Sequence, residues 1–237
     1  LGPLPAEAAT RIVEALDSQG QLPPDTVRAV VRRADGVPLF VEELAKSVIE
    51  AGEAGADALA AVPATLQDVV AARLDRLGAA RDVARMAATI GRNFPYELIA
   101  AVSSLPPADL RQALRELVRA GLVQARGVPP ASDYVFAHAL IHDAAHDMLP
   151  RRQREALHAE VAEVLRRDFP ARAAADPGLL AFHLARAGDA AAAVPHWIAA
   201  GQAAAAKAAH LEAVGQFSAA RAALADLPET MAGERLQ

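Results

Sequence analysis

The 237-residue sequence contains no cysteine. That excludes disulfides, cysteine-ligated zinc, iron–sulfur clusters and thiol catalysis, and it fits a reducing cytoplasm, the expected location. Aromatic residues are few: six Phe, two Tyr and one Trp. A β-sandwich or barrel needs aromatic and β-branched residues on its pleated faces, so neither is expected. There are only two lysines, Lys46 and Lys207, and neither follows a glycine-rich loop. No GxxxxGK[ST] phosphate loop, no GxGxxG after a strand and no GxSxG elbow occurs, so no self-contained catalytic site can be read from the chain. No uncharged apolar run reaches the roughly 18 residues that a spanning helix requires, and no membrane association is expected. The opening Leu1-Gly2-Pro3-Leu4-Pro5 has neither the basic start nor the apolar run of a signal peptide. With no initial Met, it reads as a piece of something longer.

What is abundant is alanine, 61 residues in all. Such a composition suits helices packed closely through small side chains. Lys and Arg total 24 against 29 Asp and Glu, a net charge of −5, so a whole-chain basic footprint for nucleic acid is absent. The expected fold class is mainly α: a helical subdomain, a winged helix with one small β-hairpin, then a tetratricopeptide-like α-solenoid.

The spacing predicts three opening helices. Ile12, Val13 and Leu16 mark the first, Pro23-Pro24-Asp25 starts the second with Asp35-Gly36 as its stop, and Pro38 starts the third, with Phe40, Leu44 and Val48 at four-residue steps. This is the domain 1–55, and a loop across 51–62 closes it. A second domain, 62–150, opens with Thr65 and Asp68 spaced as in a capping box. Helices follow over 81–90, 96–102 and 107–120, then two short strands, 122–126 and 134–136, around a Gly127–Asp133 turn. Three helices closed by a hairpin form a winged-helix pattern. From Arg151 only helices are expected, with a break at Pro170–Pro177. Trp197, Gly201, Ala213, Phe217 and Ala220 fall at tetratricopeptide spacing. The third domain, 151–237, is therefore repeat-like and is expected to continue past Gln237.

His138, His142 and His146 recur at four-residue steps, which on one helix gathers them into a narrow sector beside Asp143 and Asp147. A metal-dependent hydrolase is the last-placed reading of that series, because three ligands on one helix do not converge on one ion. Ser103-Ser104 reads as a helix-approach turn, and Arg151, Arg152 and Arg154 as a solvated helix start. The carboxylates read as caps and exposed faces.

These residues also spell a family pattern. Asp35-Gly36-Val37-Pro38-Leu39-Phe40-Val41-Glu42-Glu43-Leu44 resembles the GNPLFxEEL segment of the STAND class of signal-transduction ATPases with numerous domains. In bacteria these are often fused behind class III adenylate/guanylate cyclase domains. Further matches follow in the family's order: Thr65-Leu66-Gln67, the segment Ala72 to Leu77, Ile90-Gly91-Arg92-Asn93-Phe94, Ala120-Gly121-Leu122 and Phe136 to Ile141. Leu157-His158, His183 to Gly188 and His196 to Gly201 complete them. Val37 stands where the family usually has Asn, and His146 where it usually has an aromatic.

The resemblance implies the module order just described and a bound ATP or ADP in the full-length parent, with none expected in this fragment alone. It implies that Pro38, in the Gly36-Val37-Pro38 segment, packs on adenine and that His138 reaches the ADP β-phosphate in a closed state. Gly36, Pro38 and His138 are thus the expected nucleotide-contacting residues, with no catalytic and no metal residues. The resemblance makes the helical subdomain the lid of an ATPase module whose phosphate-loop half would lie before Leu1, and it leaves the output domain open between a cyclase and a terminal helix-turn-helix. The expected partners are that missing half, the output domain, and a protein or inducer on the repeats. The competing reading is a DNA-binding winged-helix regulator with Leu110–Ala120 as recognition helix and Arg111, Arg115 and Arg119 on its polar face. Glu116 in that stripe and the negative net charge weigh against it.

Overall fold

The computed structural model describes residues 3–51 and 65–225. Among them the chain is mainly helical, with thirteen helices and one three-stranded antiparallel sheet. The first half runs α1 (Ala6–Leu16), α2 (Pro24–Ala34), α3 (Pro38–Ala51), α4 (Leu66–Asp75), α5 (Ala79–Ile90), β1 (Asn93–Pro95), α6 (Tyr96–Val102) and α7 (Pro107–Arg119). It continues with β2 (Val123–Val128), β3 (Ala131–Phe136), α8 (Ala139–Asp147), α9 (Arg151–Asp168), α10 (Pro170–Ala175), α11 (Pro177–Arg186), α12 (Ala190–Ala206) and α13 (His210–Ala225). Two compact units result: Leu1–Asp82 with His138–Met148, and Val83–Ala137 with Leu149–Gln237. Apart from Ala51, which ends α3, the loop expected at 51–62 lies outside the described residues.

In the first unit α1, α2 and α3 pack around Ala9, Val13, Val30, Ala34, Val41 and Leu44, all fully buried. Their three- and four-residue spacing puts each set on one helical face, and each buried Val or Leu contributes about 1.5–3 kcal/mol of transfer free energy. Helix α2 stops at Asp35 and Gly36, both at positive φ (45° and 70°). The Leu4 N–H donates to the Gly36 carbonyl at 2.7 Å, and a Cβ on Gly36 would stand 2.7 Å from the Leu4 carbonyl oxygen. Only glycine fits there. Thr65 caps α4 by accepting from the Asp68 N–H, but the Asp68 carboxylate takes the Thr65 hydroxyl proton at 2.6 Å. The reciprocal backbone contact of a full capping box is replaced by a side-chain pair. Helix α4 packs against both α3 and α8.

The second unit places α5, α6 and α7 with a sheet of order β1-β3-β2. A lone hairpin was the expectation, and β1 is the correction. Three residues are too few to show alternation, and Pro95 is tolerated because β1 is an edge strand. Phe94 pairs in register with Tyr134, their rings stacking at 5.5 Å, and Phe136 adds a tilted contact at 5.8 Å. The turn is narrower than expected because Gly127 belongs to β2. There it permits close backbone approach: a Cβ would meet the Ala131 carbonyl at 2.5 Å.

Where a break was expected, Pro170 opens the short helix α10, since a first-turn proline loses no intrahelical bond. Helices α12 and α13 form a hairpin joined by residues 207–209. At Gly201 the two helices come close: a Cβ there would meet the Phe217 ring at 2.6 Å. Ala213 and Ala220 are buried, while Leu211 and Val214 are left exposed.

Candidate functional site

Gly36 and Pro38 adjoin at the start of α3, and His138 stands at the start of α8; all three belong to the first unit. Pro38 is exposed at the first helical position. The side-chain face of Gly36 is taken by Pro3 and Leu4 of the same chain. Its conformational role is therefore filled by the fold itself.

His138 is the N-cap of α8, with extended backbone (φ −143°, ψ 150°). Its Nδ1 accepts from the Leu140 N–H at 3.2 Å, which satisfies one of the free donors of the first turn. A nitrogen that accepts carries no proton, so in this arrangement the ring's N–H donor is Nε2. The residue is exposed. The result is an N–H donor fixed at a helix N-terminus, where the free N–H groups and the dipole favour an anionic oxygen.

The other histidines do not join it. His138 is outside the helix, so the expected three-residue ladder reduces to His142 and His146, whose rings stack at 6.2 Å. His142 pairs with Asp143 at 2.9 Å and His146 with Asp147 at 3.5 Å. Among the described residues no three His, Cys, Asp or Glu side chains are arranged to hold a metal ion.

One cluster was missed by the expectation that carboxylates are solvated caps. Glu43 of α3 is buried (1 % exposed) and forms an ion pair with the equally buried Arg73 of α4. Arg73 also reaches Glu50 at 2.8 and 3.2 Å. Burial works against the Arg73 charge, yet Glu50 and Glu43 outweigh it and hold its pKa above the ordinary value. One turn on, Arg76 donates to the Ser47 carbonyl and hydroxyl, both at 3.3 Å. The signal was in the sequence: Glu43, Ser47 and Glu50 form an i, i+4, i+7 polar stripe, matched by Arg73 and Arg76 at i, i+3.

No family model matches this chain. It is 34% identical over 185 residues to an uncharacterized protein of Rhizobium meliloti (strain 1021). The match takes in 76% of this chain but 18% of that protein, so the chain spans a small part of its curated relative. No helix among the described residues is long and apolar enough to cross a membrane.

Proposed function

We propose that this chain is a non-catalytic regulatory segment of a multidomain signal-transduction ATPase of the adenylate cyclase-like kind. In this reading it acts as a nucleotide-gated switch and a protein-interaction scaffold. The observation that carries it is His138: an exposed Nε2–H donor, oriented by the Leu140 N–H, at the N-terminus of α8. Supporting it, the order α5-β1-α6-α7-β2-β3 is compatible with a winged helix. The close Gly201/Phe217 contact of the α12–α13 hairpin suits a tetratricopeptide-like repeat, and its exposed Leu211 and Val214 offer a face for a further repeat or partner. Pro38 would meet the adenine and His138 the β-phosphate, while the cradle for the remaining phosphates would come from the parent's phosphate loop.

The test is calorimetry with ADP. This chain alone binds no tighter than about millimolar, because most phosphate affinity comes from the cradle it lacks. The parent protein binds far more tightly and loses about ten- to a hundredfold on His138→Ala, the equivalent of one charge-assisted hydrogen bond. Micromolar ADP binding to this chain alone overturns the reading, and so does an unchanged affinity in the parent variant.

A further inference from the structure

A cleft of about 490 Å³ separates helix α7 from the β2–β3 hairpin. Arg111, Arg115, Arg119 and Val118 line its helical wall and Val128 and Pro129 its hairpin side; Leu114 and Tyr134 also border it but are buried in the core. No carboxylate lines it among the described residues. Glu116, which in sequence interrupts the arginine stripe, is not a lining residue. Its carboxylate accepts from the Gln112 amide at 2.8 Å, and the Gln112 oxygen accepts from Arg115 at 2.6 Å. Arg115 is thereby braced by one nitrogen, and its other N–H groups remain for a ligand. Two valines at the cleft are exposed without a partner, Val118 at 36% and Val128 at 77%.

We propose that this cleft is a docking site for an acidic amphipathic peptide segment of a partner protein. The complementarity is twofold. Arginines four residues apart rise about 6 Å along the helix, a spacing that carboxylates at i and i+4 of a docked helix reproduce. Val118 between the arginines and Val128 opposite them take the hydrophobic stripe of the same segment, in the manner of a helix-in-groove interface with arginine anchors. A nucleic-acid backbone matches only half of this surface. It would use the arginines, gain nothing from covering Val118 and Val128, and meet the long-range repulsion of a chain with net charge −5. A short peptide with few charges meets mainly the local field. The hairpin's own cation, Arg126, lines a different depression with Asp133 and Arg172 and adds nothing to a track for phosphates here.

The experiment is to pan a random-peptide display library against the whole chain. Arg111→Ala/Arg115→Ala/Arg119→Ala serves as the counter-selection variant, its three substitutions all being at exposed positions. Enriched peptides should carry Asp or Glu at three- to four-residue spacing beside apolar residues. Their labelled synthetic forms should bind with anisotropy midpoints in the micromolar range, weakened at least about tenfold by the triple variant and further by added salt. Val128→Asp should weaken them by a similar factor with the arginines intact, which separates docking from simple charge attraction. No enrichment over the triple variant overturns the proposal, as does enrichment of peptides without acidic residues. Tighter binding of a labelled random-sequence DNA duplex, lost in the triple variant, reassigns the cleft to nucleic acid.

Discussion

His158 Nδ1 of α9 and His183 Nδ1 of α11 lie 2.9 Å apart in the second unit, and neither ring is open to solvent. One ring must donate Nδ1–H and the other must offer its lone pair, so the contact exists only while at least one imidazole is neutral. Burial pushes the His183 pKa down to about 4, against a weaker pull from the Ile90 backbone.

The sign of the consequence follows from proton counting. Between the usual 6.5 and about 4, the unfolded chain protonates His183 while the folded chain does not. Stability is full above pH 6.5, falls as pH falls, and the loss from this group totals on the order of 3 kcal/mol by pH 4. Urea unfolding at pH 7 and pH 5 measures it. The native chain should lose about 2 kcal/mol more over that interval than His183→Gln, which cannot titrate. Parallel pH profiles would exclude this histidine as the titrating group.

In the first unit, Arg73→Met removes the buried cation on Glu43 and leaves that carboxylate only the partly exposed Lys46, at 3.3 Å. The expected cost is about 2–3 kcal/mol, below that of a fully unpaired buried charge, whereas Arg73→Met with Glu43→Leu should recover most of it, because no buried charge is then left. Denaturant midpoints of the two variants decide this. A single-variant loss below about 1 kcal/mol would mean that water reaches the pair.

That ion pair also marks the limit of what periodicity can reveal. Helices α1 to α3 were legible because Val13, Val30 and Leu44 each fall on a simple apolar face, and the stop at Asp35-Gly36 because few other residues take two successive positive φ angles. His138 was not legible as a cap, since its four-residue spacing to His142 and His146 groups it with the helix that it precedes. Nor was Glu43 legible, since it lies opposite the Val41–Leu44–Val48 stripe of α3 and is buried only because α4 covers that side. Strand β1 was hidden by its three-residue length, and its place is set by pairing with β3 some forty residues away. Local pattern carries no information about either long-range partner.

Gly201 tests the packing of the α12–α13 hairpin with a sign reversal. Alanine at a helix interior is favoured over glycine by about 1 kcal/mol, but its Cβ would collide with the Phe217 ring at 2.6 Å. Gly201→Ala is therefore expected to lower stability by about 1 kcal/mol in the native background. With Phe217→Ala the same substitution should raise it by about that amount. Thermal unfolding of the four proteins gives the cycle, and a Gly201→Ala effect of the same sign in both backgrounds removes the ring as the cause.

His138 does two things with two nitrogens, and they separate by substitution. Nδ1 caps α8 through the Leu140 N–H, while Nε2–H is free to donate. Asn at an N-cap accepts the same backbone proton but lacks the reach of the distal imidazole nitrogen. His138→Asn should therefore keep the stability of the first unit, whereas His138→Ala should lose about 1 kcal/mol of it. If His138 donates to a nucleotide phosphate as proposed, both should weaken ADP binding by the parent protein alike. On the same proposal both should favour the open state about ten- to a hundredfold and raise basal output. His142→Ala and His146→Ala, whose rings pair with Asp143 and Asp147 further along α8, should change neither. Urea midpoints for this chain and ADP affinity with basal output for the parent give the comparison. If only the Ala variant weakened ADP binding, His138 would act through its cap and not through its donor. Equal losses at all three histidines would point to a ligand that they share.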